Sequence, residues 1–237
     1  MADKDTFRPY YQRFAESGQI SELPDEWTSL DYSSFSEEKT LYDFQQEALE
    51  HGLKFLHHYV EYERSLDGVN EAKRSLVDDI QTFAGDIVDS KELRLRKRDF
   101  DSTFEKLRER YSVENRTRYG YDYEEIDFYN FANRMGFWMA TGSGKTLVAI
   151  KLIELINKLS KRGEIPDRDI LLLTHRDDIL EQFREEIQEY NTAQDHTIRV
   201  WDVRDYSDVK VGNRITSQNT INVFTYRSDL ITDETSE

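Results

Sequence analysis

Eight consecutive residues, Met139-Ala140-Thr141-Gly142-Ser143-Gly144-Lys145-Thr146, separate a short apolar stretch from a long one and call for a backbone that wraps around an anion. Gly142 and Gly144 admit positive φ at low steric cost, so that successive N–H groups turn inward and form a cradle of donors. A helix beginning near Lys145 adds the positive end of its dipole. The Lys145 ammonium has the reach for the outer phosphates of a nucleotide, and the Thr146 hydroxyl suits a bound Mg²⁺. Thr141, Gly142, Ser143, Gly144, Lys145 and Thr146 are therefore the candidate nucleotide-binding residues, with Lys145 and Thr146 the candidate catalytic pair and Thr146 the candidate Mg²⁺ ligand. The flanks agree. Gly136-Phe137-Trp138-Met139 reads as a buried strand, and Val148, Ile150, Leu152, Ile153, Leu155 and Ile156 make the stretch from Leu147 to Leu159 apolar on more than one helical face. The plain alternative is a Gly-Ser turn that happens to precede a helix. Met139 stands where the strict Gly-x4-Gly-Lys-Thr pattern has its first glycine.

Charge limits what the surface can attract. With 32 Lys and Arg against 48 Asp and Glu, the net charge is −16, which favours solubility and opposes non-specific attraction to nucleic acid over the whole surface. A polyanion must then meet a local basic patch. The same acidic excess also suits a high-salt cytoplasm, and the sequence leaves both readings open. The absence of cysteine excludes disulfides, thiolate metal sites and cysteine nucleophiles. No apolar run reaches membrane-spanning length, and Met1-Ala2-Asp3-Lys4-Asp5 lacks the pattern of a secretory leader, so a cytoplasmic protein is expected.

Along the chain, residues 1–40 are acidic and punctuated by aromatics, and read as a lead-in arm. Residues 1–63 hold five Lys/Arg against fourteen Asp/Glu. From Thr40 the positions of Leu41, Phe44, Ala48, Leu49, Leu53 and Leu56 predict a helix over about 41–62. Between about 65 and 130 a charged, proline-free stretch predicts a long helical insertion. It carries a local basic excess, ten Lys/Arg against six Asp/Glu from Lys91 to Arg118. The insertion is either a solvated hairpin with internally paired charges or an arm for nucleic acid. Beyond the loop, strands are predicted at 169–174, 197–203 and 220–226, with an amphipathic helix marked by Ile179, Leu180, Phe183, Ile187 and Tyr190. Strands alternating with helices predict an α/β fold with a parallel sheet and the ligand at the carboxyl ends of its strands.

Four segments then carry a resemblance. Leu41-Tyr42-Asp43-Phe44-Gln45-Gln46-Glu47-Ala48 resembles the upstream glutamine motif of superfamily-two helicases. The Met-Ala-Thr-Gly-Ser-Gly-Lys-Thr loop is similar to the form found in the ATPase subunits of type I and type III restriction enzymes, where Met139 is ordinary. Ile170 to Arg176 and Ile221 to Ser228 resemble the next two motifs, in family order. The resemblance, which covers about residues 38–56 and 134–230, implies a RecA-like phosphate-loop lobe of a DEAD/DEAH-type helicase, interrupted by the insertion at 65–130 and extending over 41–237. It implies ATP and Mg²⁺ as ligands and duplex DNA as track. Gln45 would read adenine, and Thr174, His175, Arg176, Thr225 and Tyr226 would contact nucleic acid. Hydroxyls and a guanidinium at strand ends suit phosphates. Their simpler role is local hydrogen bonding.

Hydrolysis also needs an acidic pair after a buried strand. Asp233-Glu234 lacks both the apolar run before it and the His two places on, and Asp202 is a weaker candidate. The expected reading is an incomplete first lobe, ending before its acidic strand and second lobe, inactive or weak alone and in need of a modification or specificity subunit or a chain supplying the second lobe. Two rivals stand beside it: a small-molecule kinase, and a non-enzymatic truncated or regulatory nucleotide-binding protein.

Overall fold

The computed structural model describes residues 20–65, 95–96, 125–126, 135–137, 139–174, 176–213 and 219–227. In chain order the elements are helix α1 (Asp25–Thr28), helix α2 (Asp43–Ser65), strands β1 (Leu95–Arg96) and β2 (Glu125–Ile126), and helix α3 (Lys145–Lys161). Strand β3 (Ile170–Thr174), helix α4 (Asp177–Ala193), strand β4 (Thr197–Asp202), helix α5 (Tyr206–Asn213) and strand β5 (Thr220–Arg227) follow. The chain divides into two compact units, one of residues 20–50 and 138–237, the other of residues 1–19 and 51–137.

The first unit is built on a parallel three-stranded sheet in the order β3-β5-β4. The middle strand is the one whose apolar residues serve both faces: Ile221, Val223 and Phe224 are all buried, as expected of a strand flanked on both edges and covered on both sides. Parallel neighbours need crossovers. The β3-to-β4 connection contains α4, whose Phe183, Ile187 and Tyr190 form its buried stripe, and the β4-to-β5 connection contains the short α5. Mixed helices and parallel strands are the arrangement that a RecA-like lobe requires.

Helix α3 is buried on several faces through Val148, Ile150, Ile153, Leu155 and Leu159. Full burial of each of these side chains is worth roughly 1.5–3 kcal/mol. Its end is set by Gly163, at φ 77°, whose N–H donates to the Ser160 carbonyl while the Glu164 N–H donates to that of Leu159. That pair of bonds is a Schellman motif, which a glycine in the left-handed region allows.

Residues 20–40, expected as part of an acidic arm, are packed into this unit. Trp27 and Phe35 are fully buried, and the Trp27 indole N–H donates to Glu164 Oε2 at 3.1 Å. Lys39 pairs with Glu186 and Glu189 of α4, and the Gln194 side chain donates to the Phe35 carbonyl. A few aromatics suffice to anchor a charged segment.

In the second unit, α2 buries Leu53, Phe55, Tyr59 and Val60, and β1 pairs antiparallel with β2 through Leu95↔Ile126 and Arg96↔Glu125. The helical insertion expected at 65–130 falls mostly outside the described residues; those described within 95–126 are strand rather than helix. The strand expected at Gly136–Met139 is also absent among the described residues, since 135–137 are irregular and exposed, and Trp138 lies outside them. The Phe137 ring instead reaches to 3.0 Å from where a Cβ on Gly52 would stand, and the Met135 sulfur to 3.8 Å. No described helix is long and apolar enough to cross a membrane.

Candidate functional site

The phosphate loop, residues 140–146, has the backbone its glycines predict. Gly142 and Gly144 sit at φ 78° and 76°, and Gly144 is the left-handed residue from which α3 springs. Space around the two differs. A Cβ on Gly142 would meet nothing within 4 Å, whereas one on Gly144 would overlap Gln45 Nε2. Gly142 is thus required for its conformation and Gly144 for conformation and room.

One carbonyl holds the loop closed. The Ala140 oxygen accepts from the Ser143 N–H at 3.2 Å, the Ser143 Oγ at 2.6 Å and the Lys145 Nζ at 2.8 Å. Lys145 is exposed, Ser143 and Thr146 are half-buried, and Thr141 is exposed. An ammonium resting on a neutral carbonyl exchanges favourably for a phosphate oxygen, because the attraction between two opposite charges adds to the hydrogen bond. The first turn of α3 carries no acidic side chain, leaving its positive end uncompensated by its own residues.

Gln45 is tied to this loop from α2. Its side-chain Nε2 donates to the Ser143 carbonyl at 2.8 Å, and its Oε1 accepts from the Tyr42 backbone N–H at 2.8 Å. The second bond is half of a capping box at the start of α2. Gln45 is 1% exposed and both ends of its amide are in use. A primary amide has two N–H donors and two lone pairs on its oxygen, so each of these bonds uses half of the capacity at its end. The neighbouring surface is a concavity lined by Ser33, Thr40, Leu41, Tyr42, Asp43, Phe44 and Gln46, in which the exposed Tyr42 and Phe44 rings stack at 5.8 Å.

The strand ends bring the other expected residues to one edge of the sheet. Parallel register sets Thr174 opposite Arg227 and Asp202 opposite Thr225. The hydroxyls there are occupied. Thr174 Oγ1 donates to the Arg176 carbonyl at 3.2 Å and accepts from the Arg176 N–H at 3.3 Å, and Thr225 Oγ1 donates to the Trp201 carbonyl at 3.0 Å. Both threonines are buried, Tyr226 is half-buried, and His175 lies outside the described residues. Arg176 is exposed and its guanidinium forks onto Asp178, Nε to Oδ1 at 2.9 Å.

Asp202, the weaker acidic candidate, caps the turn after β4. It accepts from the Arg204 N–H at 2.9 Å and from its guanidinium at 2.9 and 2.7 Å, and these bonds hold its carboxyl down to about 2. A carboxylate so engaged is a structural cap in this arrangement. Asp233 and Glu234 lie outside the described residues, and among the described residues no cluster of His, Asp and Glu could hold a metal ion.

Sequence inspection missed a buried charge cluster along α3. Lys151 and Glu154 are fully buried, their Nζ and Oε2 2.8 Å apart, and Lys158 reaches the other carboxylate oxygen of Glu154. Asp31 lies 3.9 Å from Lys151 Nζ, and Tyr190 Oη is 2.7 Å from His196 Nε2. Burial raises the Glu154 carboxyl, but the Lys151 charge and the bonds from Lys151, Lys158 and Tyr190 outweigh it and leave it below its ordinary value. The signal was available in a Lys and a Glu three apart inside a run whose apolar residues surround the helix.

The sequence pattern of the family described as "Type III restriction enzyme, res subunit" matches residues 38–235. No curated protein and no solved structure matches the chain. The matched stretch takes in Gln45, the whole phosphate loop and all three parallel strands, and the chain belongs to the type III restriction enzyme res subunit family, a DEAD/DEAH-like helicase-family domain.

Proposed function

We propose that this chain forms the ATP-binding lobe of a restriction-type helicase or translocase acting on duplex DNA. The observation that carries the reading is the phosphate loop itself: two positive-φ glycines, an open space over Gly142, and a lysine at the start of α3 held by a single replaceable carbonyl. These features fit a polyphosphate. The backbone N–H groups and the end of α3 would surround it, Lys145 would bind its outer oxygens, and Thr146 would contribute a hydroxyl to the accompanying Mg²⁺. Bound Mg²⁺ supplies charge neutralisation at the phosphoryl group being transferred. Thr174, His175, Arg176, Thr225 and Tyr226 are proposed for the nucleic-acid side of the lobe. Of these, the exposed Arg176 guanidinium is best placed for a phosphate, provided that it leaves Asp178, while the two threonines act by fixing the strand ends. A RecA-like lobe at 41–237, a partner supplying a second lobe or a modification subunit, and a cytoplasmic setting complete the proposal.

A second reading, binding without turnover, is favoured by one observation: Asp202 is engaged by Arg204, so the carboxylate following β4 is committed to a cap. Titration of Mg-ATP into the full chain and into Lys145→Ala, followed by turnover measurements with and without duplex DNA, separates the two. Lys145-dependent binding with DNA-stimulated turnover supports the motor, Lys145-dependent binding alone supports the second reading, and no binding by the wild type overturns both.

A further inference from the structure

We propose that Arg204 is a second phosphate-binding arginine on the nucleic-acid edge of the sheet, and that Asp202 opposes it as an internal competitor, so that this edge takes up duplex DNA by exchanging a carboxylate for a backbone phosphate. The proposal rests on the reading of the strand ends as the nucleic-acid side of the lobe. Three observations carry it. Arg204 follows β4 as Arg176 follows β3, each two residues beyond the last residue of its strand. Both side chains are exposed, 80% for Arg204 and 59% for Arg176, and each forks onto a carboxylate two residues away, Asp202 and Asp178 respectively. Arg204 also feels the phenol of Tyr226, one of the residues proposed for contact at the end of β5, and the charge of Asp205, while Asp202 feels Arg184 on α4.

A phosphodiester offers a guanidinium the same two-oxygen face that a carboxylate offers. The Nε and Nη2 of Arg204, at 2.9 and 2.7 Å from the Asp202 oxygens, are thus already arranged as a phosphate contact requires. An exposed ion pair holds its members weakly, so the fork is released at small cost. Asp202 does not follow it. Its Oδ1 also accepts the Arg204 backbone N–H at 2.9 Å, which keeps the carboxylate at the end of β4 when the guanidinium turns away. Asp202 therefore opposes DNA twice, by occupying Arg204 and by repelling the phosphate that replaces it. β3 and β4 flank β5 and lie about 10 Å apart, which spreads the two arginines along a polyanionic backbone.

The test measures binding of a short fluorescent duplex DNA and of Mg-ATP to the full chain, from low salt upward, with circular dichroism as the check on folding. The variants are Arg176→Gln, Arg204→Gln, Asp202→Asn, Asp202→Asn with Arg204→Gln, and Asp195→Asn. Asparagine at 202 keeps an acceptor for the Arg204 N–H and removes the charge, whereas the exposed Asp195, before the start of β4, makes the same change in net charge at the other end of the strand. Arg204→Gln is expected to weaken DNA binding roughly three- to tenfold, the weak end for a charged hydrogen bond at an exposed site. It should also lower the salt slope by about one and leave Mg-ATP binding unchanged. Asp202→Asn is expected to strengthen DNA binding about two- to fivefold, the range of an exposed ion pair, beyond any gain in Asp195→Asn and only while Arg204 is present. Arg204→Gln and its salt slope carry the test if Asp202→Asn does not fold. A loss in Arg176→Gln but not in Arg204→Gln, a gain that survives without Arg204 or is matched by Asp195→Asn, or a fall in Mg-ATP rather than DNA affinity overturns the proposal and leaves the nucleic-acid edge standing. DNA binding indifferent to both arginines, or absent from wild type and Asp202→Asn alike at low salt, overturns the edge and this inference with it.

Discussion

Helix α3 contains two charged sites of opposite character within three turns. At its start, Lys145 is exposed and rests on one neutral carbonyl; further along, Lys151 and Glu154 are sealed from water and held by each other, Lys158 and Tyr190. The first site can change partners at little cost, because water and loop oxygens compete evenly for an ammonium. The second cannot, because removing either member strands a charge in a low-dielectric interior. A lysine on this helix is therefore free to exchange partners at one position and locked in place six residues later, and burial makes the difference.

Breaking the buried site should have the largest effect. Glu154→Ala leaves the Lys151 ammonium without its close counter-ion and is expected to cost about 3–5 kcal/mol of stability, read as a fall in the urea midpoint. Replacing the pair together, Lys151→Met with Glu154→Leu, should recover most of that loss. A double variant as unstable as the single one would show that the pair's other partners, and not the ion pair, hold the helix.

The exposed site should answer in the opposite way. Lys145→Ala is expected to weaken Mg-ATP binding roughly ten- to hundredfold, the range for a hydrogen bond to a charged group, and to leave the urea midpoint within about 0.5 kcal/mol of wild type. A large stability loss on removing Lys145 would collapse the distinction between the two sites.

The glycines sharpen the same contrast at a smaller scale. Gly144 and Gly163 share nearly the same backbone, φ 76° and 77°, but a Cβ has open space at Gly163 and would overlap Gln45 at Gly144. Gly163→Ala should cost about 1–2 kcal/mol from backbone strain alone. Gly144→Ala should cost more, because Gln45 must also leave Ser143. Equal values in urea denaturation would mean that Gln45 yields without resistance.

The conformation of the loop at 140–146 was readable because a backbone that needs positive φ writes itself in glycine, here Gly142 and Gly144. The parallel strands were readable from apolar runs: the predicted 169–174, 197–203 and 220–226 correspond to Ile170–Thr174, Thr197–Asp202 and Thr220–Arg227. What the sequence concealed depends on tertiary partners. Gly136 to Met139 has the composition of a strand, yet Phe137 lies against α2 near Gly52. Gln45 has the amide of a base reader, yet which donor and acceptor it meets is set by a loop about a hundred residues away. Thr174 and Thr225 lie at the predicted edge, but their hydroxyls are spent on Arg176 and Trp201. The pattern gives position, whereas availability is decided by packing.

The smallest expected effect is a graded pH response of the buried site. Burial depresses the basicity of His196, whose ring meets Tyr190 and feels Glu154, Lys158, Lys161 and Lys151. A group whose folded value lies below its unfolded one stabilises the fold above the unfolded value, here about 6.5, and that contribution is lost as pH falls. Glu154 has the same sign in a lower window, its contribution present above its ordinary 4.5 and lost as pH falls through the depressed folded value. Urea midpoints should therefore decline in two steps, one between about pH 7 and 5 and a steeper one below about 4.5. His196→Gln keeps a polar partner for Tyr190 and should erase the upper step while leaving the lower one. Phosphate-loop binding of tripolyphosphate, measured across the upper window in the folded protein, should follow the wild-type profile in this variant, since nothing in that step touches Lys145. A flat wild-type profile between pH 7 and 5 would show that His196 is solvated well enough to take its proton inside the fold, and a binding profile that moves with His196→Gln would show that the two sites on α3 are coupled after all.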